Sequence, residues 1–174
     1  GGAGVKALVV GGNGCIGSHL VDSLLRDGHS VRVFDRGAEN FRAPLQGVEY
    51  RLADFSDVAA LAEALVGVDV VFHLISTTVP STSNLDPVGD IQNNLINTVR
   101  LLQLMTQQGI RRIIYLSSGG TVYGIPDVVP IAETHPLRPI CSYGVVKVAV
   151  ENYLHMFNHL HGLEYVVLRA SNPY

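Results

Sequence analysis

Apolar runs of β character alternate with amphipathic stretches along almost the whole chain. The strand candidates are Val5–Gly11, Ser30–Asp35, Val48–Leu52, Val70–Ile75, Arg112–Ser117 and Tyr165–Arg169. Between them, Ile16–Asp27, Ser56–Val66, Pro87–Gln108 and Ser142–His161 carry the spacing of helices. Gly28 and Gly109 follow the first and third helices, where a chain leaving a helix favours glycine. The strands are apolar on consecutive rather than alternate positions, as in Ala7-Leu8-Val9-Val10 and Val68-Asp69-Val70-Val71-Phe72. Such strands belong in a parallel sheet covered by helices on both faces. The pattern therefore predicts a doubly wound α/β domain with right-handed crossovers. The longest irregular stretch, Gly119–Pro139, holds four prolines and is expected to wrap the carboxyl edge of the sheet, where such folds bind ligands.

Composition narrows this picture. At 174 residues the chain suits one domain, read here as residues 5–174 after a Gly1–Gly4 lead-in. Only 16% of residues are charged and 18 are glycine, which fits a buried sheet whose strands end in tight turns. A net charge of −3 gives no electrostatic case for nucleic acid. No apolar run reaches the roughly 18 residues of a membrane span, and no charged n-region of a signal peptide precedes the first apolar stretch. Two cysteines, Cys15 and Cys141, are too few for a disulfide framework, so a reducing, cytoplasmic setting is expected. His155 and His159 stand at i, i+4 spacing but lack a third ligand, and are read as a solvated helix end.

Three motifs carry chemistry. Gly11-Gly12-Asn13-Gly14-Cys15-Ile16-Gly17 reads as G-x-x-G-x-x-G between the first strand and the first helix. Glycines there let the backbone approach a pyrophosphate, and the helix start offers free N–H groups. The second strand ends at Asp35, whose carboxylate can accept from an adenosine ribose diol and repel a 2′-phosphate, favouring NAD over NADP. Arg36 beside it is a basic group able to partner a phosphate. Asp54, with Phe55 next to it, is a candidate for the adenine edge; alternatively Asp54-Phe55-Ser56 leads into the next helix with Ser56 as its N-cap.

The second motif is Tyr143-Gly144-Val145-Val146-Lys147, two side chains four apart on one helix face. An ordinary tyrosine titrates near pH 10, so proton transfer at neutral pH needs a positive neighbour such as an ammonium or a nicotinamide ring. The third is Ser117-Ser118-Gly119-Gly120-Thr121-Val122-Tyr123-Gly124, hydroxyls at a strand's carboxyl end where Ser118 and Thr121 can orient a substrate.

In this order the motifs resemble the extended short-chain dehydrogenase/reductase family, and within it the nucleotide-sugar epimerases. Val71-Phe72-His73-Leu74, Asn93-Asn94 and Arg169-Ala170-Ser171-Asn172-Pro173 extend the resemblance to nearly everything after Val5. It implies a Rossmann fold, NAD as bound cofactor, and a UDP-sugar 4-epimerase acting by transient oxidation at C4. It also implies Tyr143 as catalytic acid/base, Lys147 on the nicotinamide ribose, Leu74 and Ile75 along the cofactor and Asn94 beneath the nicotinamide. Asn172 would reach the nucleotide-sugar, and helices 87–108 and 142–161 would form a homodimer interface. Counting back from Val122-Tyr123-Gly124, the family's catalytic Ser or Thr falls on Gly119, leaving Ser118 or Thr121 to supply a hydroxyl. The Asp-Glu pair of the 4,6-dehydratases is missing here, which disfavours dehydration. A reductase of the same family and a catalytically silent NAD-binding protein are the alternatives. Family members continue beyond Asn172-Pro173-Tyr174 into a substrate-binding lobe, so this chain is expected to be the cofactor half, inactive by itself.

Overall fold

A computed structural model describes residues 4–37, 43–75, 85–118 and 142–170. Six strands form one sheet: β1 (Lys6–Val10), β2 (Ser30–Asp35), β3 (Glu49–Leu52), β4 (Val70–His73), β5 (Arg112–Ser118) and β6 (Glu164–Ala170). All five pairings are parallel and the order is β3-β2-β1-β4-β5-β6. This is the doubly wound Rossmann order, with its switch point between β1 and β4. The order in which strands are added reverses there, and a crevice opens beyond the carboxyl ends of the two strands. Among the described residues no helix is long and apolar enough to cross a membrane.

Consecutive apolar strand residues are explained by burial on both faces. Leu8 and Val10 of β1 join Phe34, Val71, Ile113 and Tyr115 in the larger core. Val9, one residue out of phase, packs with Val31, Val33 and Val48 in the smaller one. Helix α1 (Cys15–Arg26) closes the smaller core with Val21. Helices α2 (Val58–Ala64), α4 (Asn97–Gln108) and α5 (Ser142–His161) close the larger with Leu61, Leu101 and Val150.

Two details differ from the sequence expectation. The helix after β3 starts at Val58, and Asp57 is its N-cap, accepting from Ala60 N–H at 3.1 Å. Ser56 does not cap it. Its backbone N–H and its hydroxyl both donate to Asp54 Oδ1, at 2.9 and 2.7 Å. The expected helix Pro87–Gln108 is continuous but not uniform: α3 (Pro87–Asp90) widens into a π-helical turn (Ile91–Ile96) before α4. Side chains compete for the backbone there. Thr98 Oγ1 donates to Asn94 C=O at 2.6 Å, and Asn97 Nδ2 donates to Asn93 C=O at 3.3 Å. Such back-bonding loosens the α-ladder and favours a wide turn. Helix α4 then ends on Gly109 at φ 72°, a left-handed conformation that favours glycine.

Candidate functional site

The glycine-rich turn sits at the switch point. Gly11 follows β1 with φ 90°, and its N–H donates to Phe34 C=O at 2.8 Å. A Cβ on Gly17 would lie 2.6 Å from Gly11 C=O and from Gly12 Cα, so only glycine lets α1 start this close to the turn. Gly14 is the N-cap of α1 and makes no side-chain cap. The first N–H groups of α1, on Cys15, Ile16 and Gly17, have no partner within the helix and carry its positive dipole end. The side chains of Cys15 and Ile16 face solvent, so they would meet a ligand through their backbone.

A cavity of about 500 Å³ opens beside this turn. Gly11 and Gly14 form one wall, and Asp35 and Arg36 extend it from the end of β2. Asp54 and Phe55 line it after β3, with Leu74 and Ile75 after β4. The turn itself orients Asp35: Asn13 N–H donates to Oδ2 at 2.9 Å and Gly37 N–H to Oδ1 at 3.2 Å. Each oxygen keeps a lone pair for a ligand hydroxyl. Hydrogen bonds from Ser56, and then the positive charge of Arg36, hold the Asp54 carboxyl below its usual range. Two carboxylates at the far end, and free N–H groups at the near end, suit a molecule with a hydroxylated sugar and a pyrophosphate.

The opposite wall comes from the helix that follows β4. Asn93 and Asn97, from the wide turn and its end, line the cavity. Asn94 is buried; its side-chain amide donates to Asp90 Oδ1 at 2.7 Å. Asn93-Asn94 was visible as a pair in the sequence, but helical phase across a π-turn was not.

A buried polar column adjoins Phe55 of the cavity wall. Tyr143 and Lys147 on α5 are 8% and 3% exposed. Lys147 Nζ lies 5.2 Å from the centre of the Tyr143 ring and 5.0 Å from that of Tyr115. Burial lowers Lys147 to about 8, while the charges of Asp90 and Glu151 oppose that fall. His73, at the end of β4, is fully enclosed between the rings of Phe55 and Tyr115, 5.2 and 5.3 Å away. Ile75 N–H donates to His73 Nδ1 at 3.3 Å, which leaves Nε2–H to donate to Thr98 Oγ1 at 2.8 Å. That bonding assigns a neutral ring, and burial together with Lys147 lowers its pKa to about 3. In the sequence His73 stands out only as part of the Val71-Phe72-His73-Leu74 motif, and Asp90 not at all. Ser118 ends β5; the Ser117 hydroxyl is buried with no hydrogen-bond partner among the described residues. Thr121, Gly119 and Asn172 lie outside the described residues.

The glycine turn, the Asp35 carboxylate and the crevice at the switch point define a dinucleotide-binding Rossmann domain. The chain belongs to the NAD dependent epimerase/dehydratase family, whose pattern it matches over residues 7–174. It is 35% identical over 177 residues to a UDP-glucose 4-epimerase of Mycolicibacterium smegmatis, covering 98% of this chain and 56% of that protein. It superposes on the Thermus thermophilus UDP-glucose 4-epimerase complex with NAD at a TM-score of 0.85 and 34% identity, covering 94% of this chain and 54% of that one. A UDP-N-acetylglucosamine 4-epimerase from Methanobrevibacter ruminantium M1 matches at 0.85 and 30%, covering 97% and 55%. The chain spans about half the length of these relatives.

Proposed function

We propose that the chain is the cofactor half of an NAD-dependent UDP-sugar 4-epimerase, with Tyr143 as its proton-transfer group. The observation that carries this reading is the joint burial of Tyr143 and Lys147, linked through Tyr115 and His73 to Phe55 of the cavity that Asp35 and the glycine turn also line. NAD, when bound, supplies an acceptor that takes a hydride from the sugar C4 and returns it in the same turnover. Asp35 would hold the adenosine ribose, Asp54 the adenine, and the N–H groups of Cys15, Ile16 and Gly17 the pyrophosphate. Leu74 and Ile75 would lie along the dinucleotide, Asn94 near the nicotinamide, and Lys147 on its ribose. As a phenolate stabilised by the Lys147 ammonium, Tyr143 would take the proton of the sugar 4-hydroxyl, hold it as a neutral phenol and give it back. Ser118, Thr121 and Asn172 are proposed contacts of the sugar nucleotide. A second copy of the chain is the proposed partner, pairing through helices 87–108 and 142–161. Both leave apolar side chains exposed: Val88, Ile91 and Ile96 on the first, Val145, Tyr153 and Met156 on the second.

The test uses the whole protein, with UDP-glucose, UDP-galactose and their N-acetyl forms. Interconversion without added NADH, with NAD released on denaturation, is expected. Consumption of added NADH would instead indicate a reductase. Tyr143→Phe should keep NAD and lose about 10²- to 10⁴-fold in kcat; unchanged turnover would overturn the role given to Tyr143.

A further inference from the structure

Asp90 has no solvent exposure, and among the described residues it is the only buried carboxylate. A buried carboxylate is costly unless hydrogen bonds and a counter-charge compensate it. Asn94 Nδ2 donates to its Oδ1 at 2.7 Å, and Ser142 Oγ donates to its Oδ2 at 2.8 Å. The first bond stays within its own helix. The second crosses to the first residue of α5, directly before Tyr143. One turn further along α5 lies Lys147, whose ammonium feels the charge of Asp90. Lys147 also faces Tyr115 from β5, His73 from β4, and Tyr143 and Glu151 from its own helix. Of these groups only Asp90 and Glu151 are carboxylates, and Glu151 sits on the same helix, bonded at 2.5 Å to Arg169 of β6. Asp90 is thus the carboxylate that joins the wide-turn helix to the helix carrying the proton-transfer pair.

We propose that Asp90 is a positioning residue of the reaction centre: its carboxylate clamps Ser142, and so the turn bearing Tyr143, while its charge balances Lys147. The inference rests on the reading of Tyr143 and Lys147 as the proton-transfer pair. A purely structural clamp would hold the helix without setting the lysine's charge.

The experiment compares the whole, NAD-loaded protein with Asp90→Asn and Ser142→Ala. Lysines carry ¹³C, the Lys147 signal being identified through Lys147→Arg, and its titration is followed by NMR beside kcat and KM for UDP-glucose. Asp90→Asn should lower the Lys147 midpoint by about one pH unit. It should also cut kcat by roughly 10- to 100-fold with KM within about twofold. Ser142→Ala should lower kcat and leave the Lys147 midpoint in place, because the charge remains. An unmoved midpoint or an unchanged kcat in Asp90→Asn overturns the proposal. If Asp90→Asn does not fold, Ser142→Ala decides alone, and undiminished kcat overturns the clamp. Absence of any interconversion by the unsubstituted protein would instead defeat the epimerase reading, and the Lys147 titration would still report on Asp90.

Discussion

Gly14 and Gly17 belong to one motif yet should fail in opposite ways when a methyl is added. At Gly17 the new Cβ meets backbone at 2.6 Å, which cannot move without displacing the turn or α1. Gly17→Ala should therefore lose about 1–3 kcal/mol of stability, read by urea unfolding, and lose NAD with it. At Gly14 the nearest neighbour would be 3.8 Å away and φ is −81°, so the fold tolerates the methyl. The methyl would, however, stand at the wall of the cavity. Gly14→Ala should keep its unfolding midpoint while NAD binding weakens at least tenfold in calorimetry; an equal loss of stability in both variants would contradict this division. The same scale shows what single residues could disclose. The place of Gly11 and Asp35 on the cavity is legible because their chemistry and position after a strand point one way, whereas Asp54 reads equally as a lead-in to the next helix until the fold brings it to the same cavity. Asn93 against Asn94 was not legible, since choosing between neighbours on a helix needs the helical phase, and a π-turn resets it. Asp90 was hidden for a similar reason: an acid in a helix reads as surface until its partner from another element is known.

At the scale of elements, alternation of apolar strands with amphipathic helices was a strong signal. The central strands β1, β2 and β4 are buried on both faces, and their consecutive apolar residues record it, whereas β3 is only half-buried and β6 leaves Val166 and Leu168 exposed. Boundaries were less legible where side chains rewrite backbone bonding, as when Ser56 turns to Asp54 and passes the cap to Asp57. The proposed pairing of two copies is also a claim about elements. Exposed Ile91 and Val145 occupy the wide turn and the first turns of α5. The double substitution Ile91→Glu, Val145→Glu should convert a dimer into a monomer in analytical ultracentrifugation without releasing NAD. A persistent dimer would move the interface elsewhere.

For the whole molecule, acid is the revealing stress. His73 is neutral in the fold, with its pKa depressed from 6.5 to about 3. Between those values the unfolded chain binds a proton that the folded one refuses, so stability is complete above about pH 6.5 and falls as pH drops toward 3. At pH 4 the loss from this group should be roughly 3 kcal/mol. His73→Gln, which removes the titration, should flatten the acid side of the stability curve measured by urea unfolding between pH 7 and 4. A curve of the same slope would mean that other groups govern acid unfolding.

The π-turn at Ile91–Ile96 gives the long helix a further property. A wide turn holds one residue more than an α-turn, so it works as a phase shifter between the segments on either side. Deleting a single residue within it should restore an even spiral and rotate α3 by about 100° relative to α4. Asp90 would then swing away from Ser142 although every side chain in the buried polar column remained. The alignment of two helices, and of the groups they carry, is in this sense written into a count of residues.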